Sequence, residues 1–243
     1  MLRSRVVAVI PVLNEAGAIG PTVAAIPRSV VDAVIVVDGG STDTTAQEAR
    51  AAEAEVIVRS GAGYGRACAL GVSRAHELGA EIVLFLDGDG ADPAEEAGRL
   101  IDPIVADEAD FVLATRPRAL RAKGSLGTHQ VLAGLLIGRA VGLMTGQRYS
   151  DMSAFRAIRL DRLAALAMQE MTYGWNLEMQ MRAAHAGLRV RELPLPYRPR
   201  VAGHSKVAGS LRGTLKAGRR IMETLLRVGV ALRRPGQHGI GPA

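Results

Sequence analysis

Residues 82–92 read Ile82-Val83-Leu84-Phe85-Leu86-Asp87-Gly88-Asp89-Gly90-Ala91-Asp92. Five apolar residues in a row, without polar alternation, describe a strand buried on both faces. The run then stops at three carboxylates spaced among small residues, so acidic side chains stand where little else crowds them. Two readings compete at this point. A Gly- and Asp-rich turn ends many strands for conformational reasons alone. A divalent cation carrying a diphosphate also needs hard oxygen donors of this kind.

The surrounding sequence supplies the setting. Apolar runs recur at 6–10, 33–37, 56–58 and 111–113, and they alternate with Ala-rich segments of helical length at 19–26, 44–54, 65–78 and 94–107. Continuous apolar strands separated by helices predict an α/β fold, with a mostly parallel central sheet and helices on both faces. Ligands of such sheets gather at the carboxyl ends of the strands. The second half is less regular. It predicts helices over 127–144, 160–168 and 176–186, a strand at 190–193, and an extended proline-rich loop over 194–203. A basic amphipathic helix is expected over 211–232.

Composition bounds the rest. The 243 residues suit one domain, or one domain with a small appendage. Aromatic residues make up only 3%, so the core must be built from Val, Leu, Ile and Ala. The single cysteine excludes an intrachain disulfide framework and fits a reducing compartment. Cys68 and the five histidines lack zinc-site spacing. A formal charge of +6 favours anionic partners. The basic residues have no aromatic platform beside them, so no nucleic-acid partner is expected. The first strand runs into Pro11 and Asn14-Glu15 instead of a leader's apolar region. No stretch reaches the ~18 apolar residues of a membrane span.

Each strand-end loop carries candidates. Pro11 halts sheet pairing, and Asn14-Glu15 stands at a helix start, where capping alone accounts for polar residues. Asp38-Gly39-Gly40-Ser41-Thr42-Asp43 offers Asp38 to a base or sugar, with Ser41 or Asp43 capping the next helix. Gly61-x-Gly63-x-Gly65 lacks the dinucleotide-binding spacing, which argues against NAD, although its N–H groups and Arg66 suit an anion. In the opening loop, Asp87, Asp89 and Asp92 are the candidate metal ligands for Mg²⁺ or Mn²⁺. Trp175 is either a packing anchor or a sugar platform. Arg200, Gly203, Ser205 and Lys206 cluster in a loop too proline-rich to pack regularly, which suits phosphate contact.

Taken in order, these motifs resemble the family 2 glycosyltransferases with a GT-A fold, and within them the dolichyl-phosphate mannose synthase-like and polyprenyl-phosphate glycosyltransferase branch. The resemblance covers roughly 6–209. It rests on Val9-Ile10-Pro11-Val12-Leu13-Asn14-Glu15, Val36-Val37-Asp38-Gly39-Gly40-Ser41-Thr42-Asp43, Phe85-Leu86-Asp87-Gly88-Asp89, Arg116, Asp151 with Phe155-Arg156, Glu178, and Arg200-x-x-Gly203-x-Ser205-Lys206. It implies that Pro11, Asn14, Glu15, Asp38, Asp87 and Arg116 bind a nucleoside diphosphate sugar. It also implies that Asp87 and Asp89 meet diphosphate and metal, and that Arg148, Arg200, Ser205 and Lys206 serve the acceptor or diphosphate. Gly39 stands where a second aspartate is common. Ala91 stands where a metal-coordinating glutamine often occurs, with Asp92 one place further on. The membrane-spanning C-terminal part of some relatives is not expected.

The reaction implied is inverting transfer of a hexose to a polyprenyl phosphate, with Asp89, Asp151 and Glu178 as catalytic candidates. A hydroxyl acceptor would need a carboxylate base, and Asp151 or Glu178 could serve. A non-catalytic module binding nucleotide sugar or anionic lipid is a further alternative. The expected organisation is a GT-A domain over 1–210, a basic amphipathic helical segment over 211–234 and a flexible tail over 235–243. The expected location is cytoplasmic, at the cytoplasmic face of a membrane if the helices contact lipid. Peripheral membrane contact and self-association stay open.

Overall fold

The structure is a computed structural model that describes residues 3–125, 127–202 and 211–233. Its seven strands are β1 (Val6–Val12), β2 (Ala33–Asp38), β3 (Glu55–Val58), β4 (Ile82–Phe85), β5 (Phe111–Thr115), β6 (Arg156–Arg159) and β7 (Val190–Pro194). The helices are α1 (Ile19–Ala25), α2 (Thr45–Ala51), α3 (Tyr64–Glu77), α4 (Ala97–Val105), α5 (Thr128–Thr145), α6 (Leu160–Ala165), α7 (Trp175–His185) and α8 (Leu211–Arg233). The strands form one sheet in the order β3-β2-β1-β4-β6-β5-β7. All neighbours are parallel except β6, which runs antiparallel to both β4 and β5.

Alternate residues of the same strand feed two separate cores, which is why the strands read as unbroken apolar runs. Val6, Ala8, Ile10 and Val12 of β1 pack with Ile19 and Val23 of α1 and with Leu100, Ile101 and Ile104 of α4. Val7 and Val9 face the other way, toward Cys68 of α3, Met179 of α7 and Leu225 and Val228 of α8. The predicted two-faced α/β architecture is therefore present. Trp175 belongs to the second core and is 3% exposed, so it is a packing anchor.

Two expectations need correction. The sequence did not reveal β6, whose four residues Arg-Ala-Ile-Arg are too short and too polar at their ends to signal a strand. Pro11 does not halt β1, because the strand runs on to Val12 with Pro11 opposite Val37. Pairing with β4 has ended by Val9, so no β4 partner is deprived of an N–H.

The C-terminal helix is fastened to the body. Thr224 Oγ1 and Arg227 Nη2 both donate to Glu170 Oε2, at 3.0 and 2.8 Å, and Leu225 and Val228 are buried. Leu132, Leu136 and Leu143 of α5 and Met222, Leu226 and Val230 of α8 remain exposed. Among the described residues no helix is long and apolar enough to cross a membrane. The expected tail over 235–243 lies outside the described residues, as do Gly203, Ser205 and Lys206.

Candidate active site

The carboxyl ends of β1, β2, β4 and β5 bring most of the sequence candidates to one edge of the sheet. The loop after β1 is stitched to the loop after β2. Asn14, in the left-handed region at φ 51°, accepts the Thr42 N–H on Oδ1 at 2.8 Å, and its own N–H donates to Ser41 Oγ at 2.8 Å. Asp38, 1% exposed, accepts from the Gly40 and Ser41 N–H groups at 2.9 and 2.7 Å and from the Ser41 hydroxyl at 2.7 Å. Ser41 thus braces Asp38, while Asp43 takes the helix-start role by accepting the Thr45 N–H at 3.0 Å. Pro11 is buried in β1, beside this junction.

The acid loop is shaped by its glycines. A Cβ on Gly88 would lie 2.5 Å from Val12 Cγ1, so only glycine lets the loop pack on β1. Gly90 takes φ +74°, and a Cβ there would meet Val201 Cγ2 at 2.5 Å. Asp89 Oδ1 accepts the Ala91 N–H at 2.9 Å, and Asp92 Oδ2 accepts the Asp87 N–H at 3.4 Å. Asp92 therefore latches the loop onto itself. Tyr64, from the Gly-rich loop, donates its hydroxyl to Asp87 Oδ1 at 3.4 Å and accepts from Asn176 Nδ2 at 3.4 Å. The glycines flanking it serve packing: a Cβ on Gly65 would sit 2.6 Å from the Glu170 carbonyl oxygen. The Arg66 N–H donates to the Met171 carbonyl at 3.1 Å, so that donor is taken by protein, while the Arg66 side chain is exposed.

Cations surround the acid loop. Arg200 bridges Asp89 and Glu15, donating to Asp89 Oδ2 at 2.6 Å and to both Glu15 oxygens at 2.7 Å. Arg116 forms a two-pronged pair with Asp151, through Nη2 at 2.6 Å and Nε at 3.0 Å, and its backbone N–H joins them at 2.8 Å. Its guanidinium lies 4.8 Å from the centre of the Tyr197 ring. Burial pushes the Asp151 carboxyl up, but the hydrogen bonds and charge of Arg116 outweigh it and hold the group below its ordinary value. Arg156 is fully buried and donates to the Ser153 and Asn176 carbonyls, and desolvation lowers its guanidinium to about 10.

Beside Arg116 opens a cavity of about 230 Å³, lined by the polar Arg116, Arg121, Ser150 and Asp151 and by Val131 and Leu135 of α5. Arg148 is exposed and lines a separate cavity with Arg139, Gly142 and Leu143. Glu178 has another setting. It is 0% exposed, and its oxygens receive Arg182 Nε at 2.9 Å and the Gln169 and Glu170 N–H groups at 2.9 and 2.5 Å. Its contacts tie the segment before α7 to that helix. Tyr64, Tyr197 and Arg121 escaped the sequence reading; the scarcity of aromatics was the available signal for the two tyrosines.

The surrounding cations compensate the acid loop only in part. Burial, then the charge of Asp89, pushes Asp87 up to about 7, and burial with Asp87 and Asp89 pushes Asp92 up to about 8. Among the described residues no three acidic, histidine or cysteine side chains converge as a ready metal cage. One or two hard carboxylate oxygens in a negative loop fit a divalent cation that takes its remaining ligands from diphosphate and water. The raised values also predict a pH effect. Both groups exceed the unfolded value of about 3.9, so above it the folded chain keeps protons that the unfolded chain releases. Stability therefore falls as pH rises from about 4 toward about 8. Urea unfolding of the ligand-free protein should show this decline, and Asp92→Asn should flatten it; an unchanged slope would remove Asp92 from the cluster.

An open α/β sheet with an acidic loop after β4 and an antiparallel β6 beside it defines a GT-A transferase fold. The solved glucosyl-3-phosphoglycerate synthase of Mycobacterium tuberculosis in complex with Mg²⁺ and uridine diphosphate shares that fold, with a TM-score of 0.72 at 23% identity over 93% of this chain and 80% of its own. Residues 7–161 match glycosyl transferase family 2, and the chain belongs to that family. It is a glycosyltransferase. An uncharacterized glycosyltransferase of Mycobacterium tuberculosis is 35% identical over 219 residues, covering 89% of this chain and 96% of the relative. An undecaprenyl-phosphate mannosyltransferase of Micrococcus luteus is 30% identical over 224 residues, covering 86% and 90%.

Proposed function

We propose that this chain transfers a hexose from a nucleoside diphosphate sugar to a polyprenyl phosphate, with inversion at the sugar carbon. The observation that carries the reading is the cavity beside Arg116, whose lining combines Arg121 and the Arg116–Asp151 pair with the apolar Val131 and Leu135. A lipid phosphate has the matching two-part character, and the named activity of the Micrococcus relative supports the same acceptor class. The two carboxylates considered as bases point the same way. Asp151 is committed to Arg116, and Glu178 to Arg182 and two backbone N–H groups. An acceptor phosphate is already ionised at neutral pH and needs position and charge neutralisation rather than a base.

In this reading Asn14 and Asp38 frame the nucleoside, and Asp87 and Asp89 would hold Mg²⁺ or Mn²⁺. When bound, that ion supplies charge neutralisation for the departing diphosphate. Arg116 and Arg121 orient the acceptor phosphate, and Asp151 fixes the Arg116 guanidinium. The family resemblance assigns Arg200, Ser205 and Lys206 to phosphate, Ser205 and Lys206 lying outside the described residues. The exposed leucines of α5 and the exposed Met222, Leu226 and Val230 of α8, with Arg219 and Arg220 near them, suit peripheral contact with anionic lipid. In this reading the enzyme works at the cytoplasmic face of a membrane.

The test is a panel of uridine and guanosine diphosphate sugars with Mn²⁺, offered a short-chain polyprenyl phosphate or 3-phosphoglycerate as acceptor. Sugar should appear on the lipid phosphate. Transfer only to the phosphoglycerate hydroxyl would replace this reading with the hydroxyl-acceptor alternative.

A further inference from the structure

Arg200 stands between two carboxylates, Asp89 and Glu15. Its Nη1 holds Asp89 Oδ2 at 2.6 Å, while Nη2 holds both oxygens of Glu15 at 2.7 Å. The two carboxylate side chains are only 5% and 10% exposed, so water screens the pairs weakly. The backbone around Arg200 is pinned to the acid loop: the Arg198 N–H donates to the Ala91 carbonyl at 3.0 Å, and the Val201 N–H donates to the Asp89 carbonyl at 2.9 Å. What can move is the side chain. Its buried Nε–H meets no acceptor among the described residues, so the present arrangement leaves one donor unsatisfied.

We infer that Arg200 is a built-in counter-ion that competes with the divalent cation for Asp89, and that Glu15 is the positioning residue that keeps the released guanidinium at the diphosphate. The inference rests on the acid loop being a cation–diphosphate site. The guanidinium that donates to Asp89 Oδ2 at 2.6 Å takes up one of that oxygen's lone pairs and sets a positive charge against an incoming ion. A cation arriving alone works against the Arg200 charge and weakens its bond to Asp89, leaving Glu15 as its remaining carboxylate partner. A cation arriving with diphosphate brings a new partner along, because the phosphate oxygens accept the bonds that Asp89 gives up. Glu15, still holding Nη2, keeps the guanidinium from swinging into solvent. The loop then binds its cation weakly alone and strongly with diphosphate.

The test is Mn²⁺ binding to the full chain, read from the electron paramagnetic resonance signal of the free ion, with and without inorganic diphosphate. Arg200→Gln should bind Mn²⁺ alone about tenfold more tightly than the wild type, and about tenfold more weakly once diphosphate is present. Arg200→Lys, which keeps the charge but cannot bridge both carboxylates, should fall between them and guards against misfolding of the neutral variant. Glu15→Gln throws the whole guanidinium charge onto Asp89, so Mn²⁺ alone should bind less well. That effect should largely vanish in the Arg200→Gln background, because Glu15 acts through Arg200.

If Arg200→Gln leaves the affinity for Mn²⁺ alone unchanged or lower while diphosphate still enhances wild-type binding, the competition is wrong and the site reading survives. An equal Glu15→Gln effect in both backgrounds overturns the role given to Glu15. A wild-type chain that binds no Mn²⁺ even with diphosphate overturns the site reading, and this inference with it.

Discussion

Asp89→Asn should lower glycosyl transfer about a thousandfold, the scale on which a preorganised electrostatic group at a reacting centre acts. The substitution is nearly isosteric and keeps an oxygen able to accept the Ala91 N–H at the position Asp89 Oδ1 now holds. What it removes is the charge facing Arg200, which lies on the side of the loop where a cation would sit. The loss should therefore appear in turnover with saturating donor, with the fold intact by circular dichroism. Transfer within tenfold of the wild type would place the reacting diphosphate elsewhere.

Glu178→Ala should cost about 3–5 kcal/mol of stability, the range for removing one partner of a buried ion pair. The wild-type carboxylate is fully buried and answers Arg182, which is itself 10% exposed, together with two backbone N–H groups. Alanine leaves all three donors without that acceptor. For a chain of this size such a loss lowers Tm by roughly 10 °C. Urea unfolding measures the cost, and Glu178→Gln separates the roles: it keeps an acceptor, so it should be milder and should retain turnover wherever it is folded. A stable Glu178→Ala protein with turnover abolished would restore Glu178 as a catalytic base.

How far these roles could be read from sequence differs from residue to residue. The strands of the first half were legible because both faces of β1, β2 and β4 are buried, which leaves unbroken apolar runs. The loops that end them followed from the rule for parallel sheets. The acid loop's place after β4 was therefore predictable, as was that of Asp38 at the end of β2. β6 was not, since Arg156 reads as a surface residue and yet is buried on backbone carbonyls. The partners of Glu15 and Glu178 were also out of reach. Glu15 meets Arg200 across 185 positions of sequence, and no spacing rule spans that distance. Glu178 stood in a family motif, where an acid reads as chemistry; only its burial and its three donors reveal a holding role. Gly63 and Gly65 have a packing role that the sequence did not signal: they admit the backbone of 170–171 against the start of α3.

The measurement that bears most directly on the central claim is nuclear magnetic resonance of the product made from a nucleoside diphosphate hexose and a short polyprenyl phosphate. The account predicts a hexose joined through its anomeric carbon to the lipid phosphate, seen as phosphorus coupling to the anomeric proton, with configuration opposite to that of the donor. A product with the donor's configuration, or a sugar carried on a hydroxyl oxygen with no phosphorus coupling, would contradict it.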